Sequence, residues 1–310
     1  MEDSFRRCLV FAVSLALCAS AACSRSSSAP DAAPLAELER MAFVPPGEAV
    51  LLSRGGAAVV CENVEPLLVA RFETTRRELR AWAIERSGSA ELSAIAGAWT
   101  DDTLDWPASS LTLDEARAYG RSIGMRLPTA REWLRIASGT RAQPWPWGQN
   151  EILSVANTLA LRLDRPCPVG TFEQGRTPFG TYDMLGNVWE WVVDPIGAPA
   201  DPEAAWAVGG SFASHQRRLY GSRLDGEFEF CAQELDAQSR SSDLGLRCVA
   251  EAGPWLRLHA HALEKGTDSR ERLLLIGARW GSEAAPALER LAREDGAPRC
   301  VRWLLEGAQR

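Results

Sequence analysis

Three copies of one local signal set the scale on which this chain folds. Thr75-Arg76-Arg77-Glu78, Thr112-Leu113-Asp114-Glu115 and Thr129-Ala130-Arg131-Glu132 are each T-x-x-E capping boxes. In such a box the threonine hydroxyl accepts from the third helical N–H, and the glutamate accepts from the threonine N–H. After the first, Leu79, Trp82 and Ala83 recur at helical spacing before Gly88. After the second, Ala116, Tyr119 and Ile123 do so before Gly124, and after the third, Trp133, Ile136 and Ala137 before Gly139. Glycine supplies a stop each time, so the spacing predicts three short amphipathic helices. The apolar runs Met41 to Pro46, Val169 to Phe172 and Ala207 to Phe212 are broken by Gly and Pro and read as brief strands and loops. No regular βαβ alternation, GxGxxG or GxxxxGK[ST] pattern appears, which argues against a doubly wound nucleotide-binding fold. The fold class expected is α+β.

The N-terminus reads as an address. Arg6 and Arg7 precede the apolar run Cys8 to Ala19, too short for a resident bilayer span but suited to a secretory signal peptide. Ser20-Ala21-Ala22-Cys23 resembles a bacterial lipobox, which makes Cys23 the expected lipidation site; an ordinary signal peptide cut after Ala22 is the alternative. Ser24 to Pro34 is Ser/Ala/Pro-rich, as a flexible tether should be. The expected organisation is a signal peptide over 1–22, a tether over 23–37, a main domain over 38–251 and a helical segment over 252–310. The expected location is periplasmic or outer-membrane-associated, with the membrane as partner through the lipid at Cys23.

The net charge of −7 argues against a nucleic-acid binder, which needs a basic face. Beyond Cys23 five cysteines remain: Cys61, Cys167, Cys231, Cys248 and Cys300. Exported proteins sit where disulfides persist, and an odd number leaves at least one thiol over. Cys231 with Cys248 is the shortest plausible bridge in the main domain. No CxxC spacing points to a zinc site or redox pair.

The tail changes composition. From Pro254 the chain is rich in Leu, Ala, Arg and Glu, and Arg270 to Arg279, Ala284 to Glu294 and Pro298 to Leu305 read as three helices. The pattern resembles a HEAT-type helical pair. Such a unit cannot bury its own apolar face, so it is expected to pack on the main domain or hold a protein partner.

The most specific stretch is Thr181-Tyr182-Asp183-Met184-Leu185-Gly186-Asn187-Val188-Trp189-Glu190-Trp191. Gly209-Gly210-Ser211-Phe212 and Leu244-Gly245-Leu246-Arg247-Cys248 follow it. Arg126-Leu127-Pro128-Thr129, Glu132-Trp133 and Pro146-Trp147-Gly148 precede it, and Met41 to Gly47 and Phe72-Glu73-Thr74-Thr75 fit upstream. In order and spacing these segments resemble the sulfatase-modifying-factor family, whose type member is the formylglycine-generating enzyme. The resemblance covers residues 38–251 and implies a C-type-lectin-like α+β fold with little regular secondary structure. Trp133, Trp145, Trp147, Trp189 and Trp191 are then expected to pack the core.

The resemblance also implies a structural Ca²⁺ at Asp183, Gly186, Val188 and Glu190, oxygen ligands mixing side chains and backbone. The other reading of these carboxylates is that backbone N–H groups and arginines satisfy them. Asn157 resembles a ligand of a second family calcium site, with Asp164 as its only candidate partner. The type enzyme oxidises a sulfatase cysteine with copper held by two cysteines shortly after GGS, where soft thiolates select Cu(I). Aligned on Gly209 to Phe212, those positions are Ser214 and Leu219, so copper is not expected. Cys231 lies too far along the chain to replace either without a rebuilt loop, and His215 alone makes no copper centre. The family's iron-dependent sulfoxide synthases take histidines from an additional domain; here His259 and His261 lie in the tail and are expected to be a solvated pair, the alternative being that their alternate spacing puts them on one strand face as weak metal ligands. Arg217, Arg218, Tyr220 and Arg223 fall in the segment lining the family's substrate cleft, where they are candidates to meet an anionic or peptide ligand; in a chain with 33 arginines, surface solvation is the other reading. The resulting expectation is a non-catalytic binding or scaffolding protein at the cell envelope. The alternative is an oxidoreductase, or another enzyme, using the same cleft.

Overall fold

The computed structural model describes residues 33–52, 58–141, 143–193, 205–222 and 228–310. The expected signal peptide, Cys23 and Arg223 lie outside them. In chain order the elements are α1 (Ala33–Glu39), β1 (Met41–Val44), β2 (Gly47–Leu52), β3 (Ala58–Val64), β4 (Leu67–Ala70), α2 (Arg76–Glu85), α3 (Ala90–Gly97), α4 (Leu113–Ser122) and α5 (Ala130–Ser138). Then come β5 (Trp189–Val192), β6 (Ala205–Val208), β7 (Tyr220–Ser222), β8 (Phe228–Phe230), β9 (Ala232–Leu235), β10 (Leu244–Gly245) and β11 (Val249–Glu251). The tail holds α6 (Ala252–Lys265), α7 (Ser269–Trp280), α8 (Ala285–Arg293) and α9 (Arg299–Ala308).

All three capping boxes form, at Thr75, Thr112 and Thr129, and each starts a helix of nine or ten residues. Their apolar faces are buried, α5 most completely, with Trp133 and Ile136 fully inside. A central antiparallel sheet runs β1–β4–β11, and a second runs β10–β5–β6–β9 with β10 parallel to β5. Two hairpins, β2–β3 and β7–β8, complete the strands. Met41 to Val44 is a strand as expected, and of the run Ala207 to Phe212 only Ala207 and Val208 lie in a strand, β6, while the rest is loop; Val169 and Gly170 form a turn, their segment engaged by Asp105 and Asp183 instead of a ladder. Trp133, Trp145 and Trp191 are buried, and Trp147 stacks on Trp145 at 5.6 Å.

The tail belongs to the same core. Leu256, Leu273, Leu288 and Leu304 share one buried cluster with Phe43, Leu68 and Leu79. Trp280 packs 5.2 Å from Phe43 and its indole donates to the Met41 carbonyl at 3.1 Å. The described residues begin inside the segment expected to be tether. Residues 33–37 are helical, with Leu35 and Leu38 buried against α6 and α7 and Glu39 held by Arg272 at 2.7 Å. The tail has four helices rather than three. The extra one, α6, carries His259 and His261, so the strand face that was the alternative for them does not form. Two residues apart on a helix, they point to nearly opposite sides: His259 lies 4.3 Å from the Trp255 ring, and His261 is exposed. No described helix is long and apolar enough to cross a membrane.

Candidate functional site

The turn at 183–188 is a backbone conformation that few sequences allow. Asp183, Gly186 and Asn187 all have positive φ, at 56°, 84° and 60°. Gly186 is required twice over, since a Cβ there would lie 2.4 Å from the Asn157 carbonyl oxygen. Asn187 is the hub. Its side-chain amide donates to Glu73 at 2.6 Å, and its carbonyl oxygen accepts from the Cys167 N–H at 3.0 Å and from Asn157 at 3.1 Å. Its backbone N–H reaches the Asn157 carbonyl, and its own carbonyl accepts from Phe212. Gly186 donates to the Gly209 carbonyl. Segments that read as separate motifs therefore meet at one turn.

Four ionisable groups are buried beside that turn: Glu73, Asp183, Glu190 and Arg247, with Arg247 wholly enclosed. Arg247 donates to Glu190 from Nε at 3.0 Å and Nη2 at 2.7 Å, and to the carbonyls of Ala70 and Tyr182. Trp133 donates its indole N–H to the other Glu190 oxygen at 2.8 Å. Glu73 accepts from the Val188 N–H at 3.1 Å as well as from Asn187, and Asp183 accepts from the Gly170 N–H at 2.7 Å. Three carboxylates thus face one guanidinium. Burial, then repulsion from Asp183 and Glu190, pushes Glu73 well above the usual carboxylate range; burial lifts Asp183 to about 6. Burial opposes the charge on Arg247, but the Glu190 contact outweighs it and the group is held more firmly protonated.

Of the expected calcium ligands, Asp183, Gly186 and Val188 lie on this turn and Glu190 follows on β5. Glu190, however, already accepts from a guanidinium and an indole. Glu73, which sequence reasoning missed as a site residue, supplies the third carboxylate. Among the described residues no three His, Cys, Asp or Glu side chains are spaced to hold a metal ion on their own, so any cation here depends on backbone carbonyls for its remaining ligands. Asn157 is buried and serves as a clamp, its side-chain amide donating to Asn187 and to the Arg165 carbonyl, with its side-chain oxygen left without a partner among the described residues; Asp164 is exposed.

The two positions aligned with the copper thiolates lie nearby. Ser214 Oγ accepts from the Ser211 N–H at 3.1 Å and lies 3.2 Å from Ser211 Oγ, which donates to Asp243 at 2.7 Å. Leu219 is fully buried among apolar side chains. One expectation is corrected here. Cys231 is not remote: its N–H donates to the Leu219 carbonyl and its carbonyl accepts from Gly209. A Cβ built on Gly210 would lie 3.5 Å from Ser214 Cβ and 4.0 Å from Cys231 Sγ. The β7–β8 hairpin folds the intervening residues back, so distance along the chain misleads. The expected Cys231–Cys248 bridge does not form. Cys167, Cys248 and Cys300 are free buried thiols, and Cys231, also buried, belongs to a different core cluster from Cys248. His215, Arg217 and Arg218 are exposed beside Ser214, and Tyr220 opens β7.

The sulfatase-modifying factor enzyme 1-like domain matches residues 26–252. A formylglycine-generating enzyme of Mycobacterium tuberculosis is 31% identical over 176 residues, covering 48% of this chain and 59% of that protein. A hercynine oxygenase of the same organism is 37% identical over 101 residues, covering 31% of this chain and 24% of that protein. An inactive C-alpha-formylglycine-generating enzyme 2 of Bos taurus is 28% identical over 174 residues, covering 51% of this chain and 54% of that protein. The chain therefore spans well under two thirds of these relatives. Among solved structures, Treponema denticola variable protein 1 superposes with a TM-score of 0.51 at 17% identity, over 68% of this chain and 94% of that one. PvdO from Pseudomonas aeruginosa does so with a TM-score of 0.50 at 21% identity and the same coverage. These structures share the α+β, C-type-lectin-like fold.

Proposed function

Because the chain belongs to the sulfatase-modifying factor enzyme 1-like family, we propose that it is a member without formylglycine-generating chemistry, acting as a binding or scaffolding protein at the cell envelope. One observation carries this reading. Leu219, aligned with one copper thiolate of the type enzyme, is an apolar side chain sealed in the core, and Ser214, aligned with the other, is tied into the Ser211–Asp243 hydrogen-bond chain. Neither offers the soft ligand that Cu(I) selects. The exposed Arg217 and Arg218 beside Ser214 suit an anionic or peptide ligand. Incubating the protein with Cu(I), oxygen and a CxPxR sulfatase peptide is expected to yield no aldehyde. Catalytic formation of formylglycine would overturn the reading.

A second reading, an oxidase with a rearranged site, has one observation in its favour: the Cys231 thiol beside Ser214. It requires turnover that Cys231→Ser abolishes.

The envelope location rests on the apolar run Cys8 to Ala19 and on Cys23. In cells fed labelled palmitate, the protein is expected to carry label, and Cys23→Ser is expected to lose it. Unlabelled wild-type protein would contradict lipid anchoring.

The same proposal places a structural Ca²⁺ at Asp183, Glu190 and the carbonyls of Gly186 and Val188. What supports it is the charge sum, three buried carboxylates against one guanidinium. A divalent cation would offset that excess.

A further inference from the structure

Arg135 is a buried cation that has no ion-pair partner among the described residues. It sits on α5 with about 5% of its surface exposed, and its guanidinium donates to the carbonyls of Gly139, Pro45 and Pro46 at 3.1, 3.3 and 3.4 Å. It lies over the Phe179 ring at 5.7 Å. Its Nε–H is buried and has no acceptor among the described residues. Glu283 acts on it only at longer range, without an ion pair among the described residues. Carbonyl dipoles offset part of the cost of burying this charge, but a guanidinium is completed by an oxyanion, which it meets with parallel N–H donors.

Arg135 borders a cavity of about 400 Å³, within the range of small-molecule sites. Pro45 and Pro46 form one wall, and Pro286 with Ala287, at the start of α8, forms another. Arg290 stands at the rim, where its contact with Glu65 at 3.1 Å is an exposed pair and holds it only weakly. Thr140 adds a hydroxyl.

We propose that this cavity, between the family domain and the C-terminal helices, is a binding site for a small carboxylate with a short apolar body, gripped by Arg135 and Arg290. The proline walls favour the apolar body. Glu283 at the same cavity disfavours a multiply charged anion. Binding would then tie α8 to the β1–β2 turn.

The test is a titration of the ¹⁵N-labelled full chain with sodium butyrate, reading arginine Nε–H resonances against sodium chloride at matched ionic strength. The Arg135 resonance, identified by its loss in Arg135→Met, is expected to shift saturably with a midpoint on the order of 1 mM. Arg290→Gln, a surface change that leaves the core intact, is expected to weaken binding about tenfold. No saturable shift of the Arg135 resonance, or an unchanged midpoint in Arg290→Gln, would overturn the site. Tighter binding of inorganic phosphate than of butyrate would overturn the carboxylate assignment.

Discussion

Arg247→Met is expected to lose about 3–5 kcal/mol of stability, the cost of leaving a buried charge without its partner. Methionine fills most of the volume, so the loss is electrostatic and not a cavity. Removing the guanidinium leaves Glu73, Asp183 and Glu190 together with no counter-charge, and it breaks the contacts to the Ala70 and Tyr182 carbonyls that join β4 to the turn. Domains of this size hold only about 5–15 kcal/mol in total, so the variant is expected to unfold at much lower urea than wild type. Glu190→Gln combined with Arg247→Met is expected to be more stable than Arg247→Met alone, because one orphaned charge has gone. A single variant within about 1 kcal/mol of wild type would contradict the account of this cluster.

Without divalent cations, stability is expected to fall as pH rises through the region where Asp183 and Glu73 ionise. Both are lifted in the folded state, Asp183 from 3.8 to about 6 and Glu73 well above 4.5. Between the unfolded and folded values the native state binds more protons than the unfolded chain. By linkage its advantage is greatest below the unfolded values and is lost as pH rises through the folded ones. For Asp183 alone the loss is on the order of 3 kcal/mol. Glu115 and Glu132, held low by arginine contacts, contribute the opposite slope only below about pH 4.5. Glu37, raised by burial to about 7, adds to the loss from a different site. Asp183→Asn separates the two. Asparagine tolerates the positive φ and still accepts from Gly170, so this variant is expected to be more stable than wild type at pH 7 in chelator and to show a flatter pH profile. Calcium is expected to raise the melting temperature of wild type at pH 7 and to do so much less in Asp183→Asn. A calcium response of equal size in both proteins would remove the ion from this turn.

Much of the architecture is legible in the chain because its determinants are local. A capping box needs four consecutive residues, and all three predicted helices begin where their threonines stand. The α6 helix is hidden for the converse reason. It follows β11 directly, Glu251 makes no side-chain cap, and Gly253-Pro254 falls in its first turn, where the sequence reads as a break. The site is less legible, because its chemistry depends on long-range pairing. Glu73 lies 114 residues from Asn187 and looks like part of a strand-to-helix junction until the fold brings it under the turn. Glu190 stands out in the sequence as a carboxylate of the motif, but its commitment to Arg247 is a contact across 57 residues that no local pattern encodes. Cys231 comes to the Gly210 turn, where Ser214 also lies, because β7 and β8 pair.

The central claim is that the copper grip of the type enzyme has no counterpart here, and Cu(I) binding tests it most directly. Purified wild-type protein and the Ser214→Cys/Leu219→Cys double variant are titrated anaerobically against a chromogenic Cu(I) chelator. The account predicts that wild type takes no copper from the chelator, while the double variant, which restores a thiolate at both aligned positions, takes one ion per chain. One tightly held Cu(I) in wild type, lost on Cys231→Ser, would contradict it.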